Sequence, residues 1–456
     1  MMTELSLTLR RALAAGFLAI LTLLWVAPAQ AQRARLVIDQ NRLSTWLEDS
    51  QSAIKAPALA VGIVSPERDL FLDLFGDPDL DDPFLLGPLS RSITGLALLL
   101  VLDDHDDYSL ETPASQWFSS IPAEITLRDL LHQTSGLETD STISPYLHVD
   151  ASLDDLLSSA HWHPRGTLTD EDLPFAVLGH IASELAEQPF DELLEERIFA
   201  PLSLTSASAS PSLANRQFTT GHQFFFGFPI KRSEPEFNPA FVPALFISMS
   251  PRDMTTWLRF LLNQGTHEGA ELLSPDLLDE LARLLSRSTG ATATFTASMA
   301  LRQEEEFALF VFANHNSWNA AGPTRILDGI VATLLQEDPP RGSNIEFILR
   351  LILGFLLLMT LANFLYDFFR WLMIRSFRLT GRQIGIVLLT TVVTASLTAA
   401  LHLFWVPMPL LYATQPDLAI AIVLFATLLP LARLFGGFVH TYRTDAKSVH
   451  KRFGFS

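Results

Sequence analysis

The stretch LLGPLSRSITGLALLL, residues 85–100, predicts a buried helix with an unusual N-terminus. A Gly-Pro pair opens it, and proline suits a first helical position because its missing N–H would have no partner there. Ser90 and Arg91 follow, before a continuous apolar run. A small hydroxyl residue and a basic residue at a helix N-terminus are what a serine-nucleophile enzyme uses. However, the stretch contains no Ser-x-x-Lys, and Pro88 stands where the nucleophile would be expected.

Two segments on either side of this helix alternate apolar residues around a turn, which is typical of β-hairpins. The first covers residues 56–77, and the second covers residues 291–316 with the charged turn RQEEE at its centre. Helical patterns fill most of the sequence between them, and residues 322–336 predict a closing helix over the sheet. We therefore expect an α/β (α+β) fold, with an antiparallel sheet from N- and C-terminal strands flanked by helices and an inserted helical lobe.

Composition limits the possible functions. The 456 residues have a net charge of -19 and no cysteine, which excludes disulfides and thiol chemistry. Residues 341–456 carry 11 basic and 4 acidic side chains, so the acidic excess lies in the middle of the chain. A strongly acidic domain is a poor partner for nucleic acid. The mean hydropathy of +0.27 is high, which indicates that apolar segments are concentrated somewhere.

The two ends of the chain predict export and membrane insertion. Residues 1–31 have the basic pair, apolar run and small-x-small site of a signal peptide, with cleavage after Ala31; an uncleaved anchor is the alternative. Residues 32–337 would form an extracytoplasmic domain and residues 338–346 a linker. Three transmembrane helices are expected within residues 347–440, at 347–369, 384–406 and 418–440. Residues 441–456 would be a basic cytoplasmic tail.

The distribution of positive charge predicts the orientation of these spans. The loop after the first span and the C-terminal tail are rich in arginine and lysine, whereas the loop between the second and third spans has neither. The positive-inside rule therefore places the first loop and the tail in the cytoplasm and the N-terminal domain outside. Arg350, Asp367 and Arg433 lie near span ends, where we expect them to snorkel to the interface.

The segment EITLRDLLHQTSGLE, residues 124–138, resembles a motif of the serine β-lactamase-related family, which includes class C β-lactamases, D,D-peptidases and related esterases. Residues 178–208 and residues 241–281 are similar to later segments of that family, in the family's order. The resemblance extends over about residues 57–335. It implies a β-lactamase-like fold and, for an intact member, hydrolysis through a serine nucleophile.

The same resemblance implies that the family's proton-handling residues are replaced here. In the family, the serine of Ser-x-x-Lys attacks an acyl carbon while the lysine and a tyrosine move protons. No residue is therefore assigned a catalytic role. The counterparts of the family's site residues are Pro88 at the serine, Arg91 at the lysine, Asp170 and Asp172 at the ends of Tyr-x-Asn, and Ser288, Thr289 and Gly290 at the late Lys/His-Thr-Gly strand.

These replacements predict a new contact across the former cleft. Arg91 remains protonated at any working pH, so it cannot serve as a base. A buried arginine needs an anionic partner, and we therefore expect an ion pair from Arg91 to Asp170 or Asp172. The alternative is that the two aspartates lie in a solvated loop. Ser90 is a possible substitute nucleophile, whereas Ser135 occupies a position that the resemblance implies is structural.

Other side-chain clusters give weaker indications. His161 and His163 in HWH are expected at a loop on the cleft rim, and the DDHDD run at residues 103–107 is expected at a charged turn after the helix. Neither offers a third convergent ligand, so we expect no metal site and no cofactor. The QFFFGF segment, residues 223–228, is expected in the core, with an apolar patch near the membrane as the alternative.

Taken together, the sequence predicts a multi-pass membrane-anchored β-lactamase-like pseudoenzyme that acts as a binding or scaffolding module at the cell envelope. Its partner would be a cell-envelope peptide or a membrane protein. Two alternatives remain open. One is a serine hydrolase, esterase-like or peptidase-like, with rebuilt catalytic residues, and the other places the function in the membrane helices with the outer domain as a sensor.

Overall fold

The fold comes from a computed structural model that describes residues 38–139, 143–212, 218–316, 321–334, 345–373, 385, 389, 408–428 and 431. The predicted signal peptide, most of the predicted linker and the predicted basic tail lie outside these residues. The strands are β1 (Leu59–Val64), β2 (Asp69–Phe75), β3 (Phe84–Leu85), β4 (Leu137–Glu138), β5 (His161–Trp162), β6 (His222–Phe225), β7 (Phe228–Lys231), β8 (Ser248–Met249), β9 (Thr266–His267), β10 (Ala270–Glu271), β11 (Arg287–Ala291), β12 (Thr296–Arg302) and β13 (Phe307–Ala313).

The helices follow the same chain order. They are α1 (Gln40–Ile54), α2 (Ser90–Asp103), α3 (Leu127–Leu131), α4 (Leu153–Ser159), α5 (Leu173–Leu185), α6 (Phe190–Leu194), α7 (Val242–Leu245), α8 (Pro251–Leu262), α9 (Pro275–Asp279), α10 (Ala282–Ser286), α11 (Ala321–Leu334), α12 (Ile345–Leu372), α13 (Met408–Thr414) and α14 (Pro416–Leu428).

The central sheet has five strands in the order β11-β12-β13-β1-β2, and every pair in it is antiparallel. Both predicted hairpins are present, as β1–β2 and β12–β13. They meet through β1 and β13, where Leu59 pairs with Ala313. The expectation that the two ends of the domain build one sheet is therefore confirmed.

Hydrophobic clusters cover both faces of the sheet, and successive apolar side chains of β1 point into one cluster and then the other. Val61 and Ile63 face a cluster with Leu47 of α1 and Ile330 of α11, so the predicted closing helix does cover the sheet. Ala60 faces the opposite cluster, which contains Trp257 of α8 and the helical lobe. Side chains of alternating direction on one strand thus join two hydrophobic layers.

Helix α2 is the buried helix that the sequence predicts: its residues from Ser90 to Leu102 are all buried. A short 3-10 helix, Gly87–Leu89, precedes it, and the backbone N–H of Ser90 bonds back to this turn. Helix α2 packs against α5, α7 and the turn that contains Pro88. This position brings its N-terminus to the edge strand β11 and to the loop before α5.

Helix α12 contains an apolar stretch, Phe347–Arg370, of 24 residues with mean hydropathy 2.2. At about 1.5 Å per residue it is about 36 Å long, enough to cross a hydrocarbon core of about 30 Å. Among the described residues it is the single helix of sufficient length and apolarity. The predicted span 384–406 lies outside the described residues except for positions 385 and 389, and the span 418–440 is described only through α14 and position 431.

Contrary to the snorkelling prediction, the side chain of Arg350 does not extend to the membrane interface. Its side chain is fully buried and forms an ion pair with Asp417, which is also fully buried, at 2.5 Å. The guanidinium also donates to the side-chain carbonyl of Gln415. The snorkelling prediction is wrong for Arg350 because the carboxylate of Asp417 reaches it from the first turn of α14.

His315, just after β13, is buried among the residues that face this ion pair. Burial lowers its pKa to about 3, with His222 and Arg350 adding to the effect. Neither ring nitrogen has a hydrogen-bond partner among the described residues. The side chain lies edge-on to Phe224, with ring centroids 5.1 Å apart. His315 is therefore held in its neutral form.

We expect acid to destabilise the protein through His315. A pKa lower in the folded state than its ordinary value of 6.5 gives stability above pH 6.5 that is lost as the pH falls. Between about pH 7 and about pH 5, its share of the loss is about 2 kcal/mol. Chemical unfolding of the full chain in detergent measures it, and His315→Phe should show a smaller loss. The loss that persists in His315→Phe would come from His222, because burial lowers the pKa of that histidine too. An unchanged pH dependence in His315→Phe would contradict this assignment.

Candidate functional site

Pro88 lies directly on strand β11 at the N-terminal end of α2. A Cβ atom added to Gly290 would overlap the Cγ and Cδ atoms of Pro88, so only glycine allows this approach. Two sequence segments about 200 residues apart thus meet where the motifs predicted. The ring of Pro88 occupies the side of β11 that faces α2, and it offers neither a nucleophile nor a hydrogen-bond donor.

Arg91 forms the ion pair that the sequence predicts, and it does so with both aspartates. Nη1 contacts the carboxylate of Asp170, and Nη2 lies 2.6 Å from Oδ1 of Asp172. The Arg91 side chain is 9% exposed, whereas those of Asp170 and Asp172 are 84% and 31% exposed. The guanidinium also lies 5.5 Å from the ring centroid of Phe175 on α5. Arg91 is therefore clamped between a carboxylate pair and an aromatic face.

The electrostatics of this pair exclude a role for Arg91 as a base. Burial by itself would lower the pKa of Arg91, but the nearby carboxylates of Asp172 and Asp170 outweigh burial and raise it. Asp172 occupies the N-cap position of α5, yet its side chain makes no capping hydrogen bond there. Its carboxylate is turned to Arg91 instead. Glu171, between the two aspartates, points elsewhere and accepts a hydrogen bond from Thr139.

The loop that carries the aspartates is held by the HQTSGLE segment after α3. The backbone N–H of Thr169 donates to the carbonyl of Gln133 at 3.0 Å, and that of His163 donates to the carbonyl of Gly136 at 2.7 Å. The Gln133 amide also donates to Oδ1 of Asp170 at 3.3 Å. Gly136 has a φ of 71°, and an added Cβ there would overlap the His163 carbonyl. This segment therefore positions the loop opposite Arg91.

The helix α3, which precedes the HQTSGLE segment, is capped at its N-terminus and holds a second contact to the aspartate loop. Thr126 caps α3 and exchanges hydrogen bonds with Asp129, and Arg165 contacts the same carboxylate at 2.9 Å. Burial would raise the pKa of Asp129, but hydrogen bonds from Thr126 and Arg165 outweigh burial and lower it. The ionised Asp129 thus ties the loop of Arg165 to the helix α3.

Only some side chains of β11, the counterpart of the family's late strand, point into the cleft. Ser288 and Gly290 lie on the side of β11 that faces Pro88, whereas Thr289 points to the other side because side chains alternate along a strand. The Thr289 hydroxyl bonds with Ser298 at 2.6 Å and with Thr324 of α11 at 2.9 Å. The placement of β11 is as predicted, but Thr289 does not join the cleft.

The serines that could replace the nucleophile are engaged elsewhere. Ser90 is fully buried, and its hydroxyl accepts a hydrogen bond from the backbone N–H of Ile247 at 3.2 Å. Ser135 is fully buried and its hydroxyl accepts from the backbone N–H of Leu137. A buried hydroxyl bonded in this way has no path to an acyl substrate in this conformation.

A Ser-x-x-Lys sequence also occurs at Ser52–Lys55, before the segments that resemble the family. It lies at the C-terminal end of α1, on the face of the sheet away from Pro88. Lys55 has a left-handed backbone and its ammonium group lies over the ring of Phe347. A helix C-terminus exposes carbonyl groups, so it cannot stabilise a developing oxyanion.

Tyr146 and Glu234 form a buried polar pair that the sequence motifs did not reveal. The Tyr146 hydroxyl donates to Glu234 at 2.5 Å and accepts from the backbone N–H of Ala293 at 2.8 Å. Burial, followed by the Glu234 charge, raises the pKa of Tyr146 well above its usual value. Burial also raises the pKa of Glu234. The pair supports the turn after β11, and the stretch KRSEPEFNP that contains Glu234 gave no signal for it.

The two acidic and histidine-rich clusters do not form ligand sets. His161 belongs to β5, which pairs with β4, so the expected loop is a short two-stranded ladder. Asp104 lies in the predicted turn and pairs with Arg197 at 2.5 Å. Among the residues that the structure describes, no group of three or more histidine or acidic side chains could hold a metal ion.

The expected core position of QFFFGF is only half correct. Phe224 is buried, but Phe225 and Phe228 are 37% and 61% exposed at the tip of the hairpin β6–β7. Consecutive aromatic residues give no alternation of apolar and polar positions, so the sequence could not show which ring faces solvent. The alternative of an apolar surface patch near the membrane segment describes Phe225 and Phe228 better.

A sheet of N- and C-terminal strands, a buried helix on it and a helical lobe define the serine β-lactamase-related class of fold. A family model described as Beta-lactamase matches residues 45–322, more than half of the chain, and the chain belongs to this family. Protein flp of Staphylococcus aureus strain MRSA252 is 21% identical over 317 residues, covering 61% of this chain and 63% of that protein. The chain thus spans slightly less than two thirds of the length of these curated relatives.

Solved structures give the same fold at low identity. The octameric penicillin-binding protein homologue from Pyrococcus abyssi is 14% identical with a TM-score of 0.57, covering 67% of this chain and 79% of that one. D-amino acid amidase from Ochrobactrum anthropi SV3 is 18% identical with a TM-score of 0.55, covering 66% and 99%. These similarities show the fold, and the activity must be argued from the residues of this chain.

Proposed function

We propose that this chain is a membrane-anchored β-lactamase-like protein without acyl-serine chemistry, acting as a binding or scaffolding module at the cell envelope. The observation that carries the proposal is Arg91, clamped by Asp170 and Asp172 beside the Pro88 ring. Acyl transfer in this class needs a nucleophile and a base in contact. Here the first position has no hydroxyl and the second is a permanent cation.

The membrane part of the proposal combines hydropathy with the described helix α12. The apolar stretch of α12 supports one span. We infer the two further spans and the orientation from the sequence, with the N-terminal domain periplasmic or extracytoplasmic and the C-terminus cytoplasmic. A signal peptide at residues 1–31 would agree with this topology, because three spans leave the two ends on opposite sides.

We propose the partner class from the names of two solved relatives and from the location proposed above. The relatives include a penicillin-binding protein homologue and a D-amino acid amidase. A domain of the same family at the cell envelope would bind a cell-envelope peptide, or a membrane protein beside its own helices. Thr219, His222 and Lys231 are among the residues lining a surface cavity of about 670 Å³, and Arg91 does not line it.

Labelling of the purified full chain tests the chemistry. We expect a fluorescent penicillin and a serine-reactive fluorophosphonate to leave it unlabelled, while an active class C β-lactamase is labelled in parallel. Stoichiometric labelling that is lost in Ser90→Ala would establish the rebuilt hydrolase instead. Ser52→Ala and Ser135→Ala serve as matched controls, and labelling lost in either of them would overturn the proposal in the same way.

A further inference from the structure

The hairpin β6–β7 presents an apolar tip at the point where the domain meets α12. Phe225, Phe228 and Ile230 are 37%, 61% and 41% exposed. Phe226 has a left-handed φ of 49° and is followed by Gly227 with a φ of 91°, so the turn is tight. Exposed aromatic and aliphatic side chains on one turn require an explanation, because water does not favour such a patch.

The tip lies alongside the first turns of the apolar stretch of α12. The rings of Phe228 and Phe347 are 6.2 Å apart, and Gly227 lies against Phe347. Phe226 packs against Gly354, about two helical turns beyond Phe347. Residues 347 and 354 are about 10 Å apart along the helix axis. Since the apolar stretch begins at Phe347, the hairpin overlaps the segment that would enter the bilayer.

The hairpin also covers the buried ion pair of Arg350 and Asp417. The guanidinium of Arg350 lies 5.1 Å from the ring centroid of Phe224, and the backbone N–H of Phe226 donates to Oδ2 of Asp417 at 3.1 Å. The Gln223 amide donates to the carbonyl of Ala413. Arg350 is three residues inside the apolar stretch, where an uncovered charge pair would meet lipid at high cost. The hairpin therefore belongs at the depth of this pair.

Cationic side chains lie along the same hairpin and against its neighbouring helices. Lys231 is exposed at the end of β7, and Arg232 lies 5.2 Å from the ring centroid of Tyr412. Lys55 approaches the ring of Phe347 at 5.2 Å. Aromatic rings with flanking lysine and arginine match the interface of a bilayer, where rings enter the acyl boundary and cations meet phosphate groups.

We infer that the tip of this hairpin, Phe225, Phe228 and Ile230, inserts into the lipid–water interface beside α12 and docks the domain on the bilayer surface. The inference rests on the membrane anchoring proposed above and adds a second lipid contact. Docking would fix the orientation of the Arg91 side of the domain relative to the membrane, which a helix joined through a linker alone would not do.

The absence of cysteine from the sequence makes a direct test possible. Single cysteines at Phe228→Cys, Leu358→Cys and Leu168→Cys are labelled with an environment-sensitive fluorophore in the full chain. These native side chains are 61%, 64% and 57% exposed, so the sites are matched in accessibility. Each protein is placed in phosphatidylcholine–phosphatidylglycerol vesicles, with and without lipids that carry a doxyl quencher at a shallow or a deep position.

The three sites separate the two proposals. We expect shallow doxyl lipid to remove most of the emission at position 228, deep doxyl lipid to remove it at position 358, and neither to affect position 168 in the aspartate loop. Loss at 358 without loss at 228 would overturn the docking and leave the anchoring intact. No loss at 358 would overturn the anchoring, and the docking with it. Disulfide-linked dimers of the unlabelled Phe228→Cys variant, without lipid quenching of the labelled one, would overturn the docking and identify a second copy as the occupant.

Discussion

Replacing both Asp170 and Asp172 by asparagine should lower the free energy of unfolding by about 3 kcal/mol. The change leaves the shape of the loop intact but removes both negative charges from Arg91, whose side chain is only 9% exposed. A buried guanidinium without an anion carries its full desolvation penalty. We place the loss at the low end of the usual range for buried pairs because Asp170 is 84% exposed. Chemical unfolding of the full chain in detergent measures this loss.

The control is a cycle with Arg91→Met. Methionine has a similar length and no charge, so Arg91→Met in the double-asparagine background should recover most of the lost stability. Arg91→Met alone should remain close to the wild type, since the two aspartates are partly exposed and can be solvated. A double-asparagine variant as stable as the wild type would show that the Arg91 charge is solvated in solution.

Asp417→Asn should release the hairpin β6–β7 from the C-terminal helices. Both side chains of the Arg350–Asp417 pair are 0% exposed, and breaking such a pair costs about 3–5 kcal/mol. Asp417 also accepts the hydrogen bond from the backbone of Phe226, so the effect should be local to the hairpin. Hydrogen exchange should show at least about 100-fold faster exchange for amides of β6 and β7, with the strands β12 and β13 unchanged.

Two variants isolate the charge pair. Arg350→Met combined with Asp417→Leu replaces the whole pair by apolar groups and should restore most of the protection of β6 and β7. Asp367→Asn removes another carboxylate from α12, about 20 Å beyond Gly354 along the helix axis, and should leave exchange in the hairpin at its wild-type rate. Equal exchange in Asp417→Asn and the wild type would show that the hairpin is held by its apolar contacts alone.

The strands of the main sheet were predictable because short apolar runs flank clear turn residues. Strand β1, LAVGIV, is buried at every position because it lies between two apolar layers. The Arg91 pair was predictable for another reason: a lysine-to-arginine replacement at a buried position requires an anion, and the motif order supplied the two aspartates. Thr289 shows the limit of that approach. The motif placed the strand correctly, but the alternation of side chains along β11 directs this hydroxyl to α11.

The contacts at the C-terminal helices could not be predicted from one sequence. Arg350 and Asp417 are separated by 67 positions, and no local pattern indicates that the second approaches the first. The exposed rings of Phe225 and Phe228 depend on the turn at Phe226 and Gly227, which a run of aromatic residues does not specify. Tyr146 and Glu234 likewise pair across 88 positions without a motif.

The pairing of β1 with β13 has a consequence for the order of folding. The backbone N–H of Ala58 bonds to the Asn314 side chain, a contact that joins positions 256 apart. At usual synthesis rates β13 leaves the ribosome about 10–50 s after β1. During that interval the β1–β2 hairpin presents an unpaired apolar edge, which is prone to aggregate. We therefore expect the first half of the domain to need shielding until the last hairpin arrives, through a chaperone or through slow release.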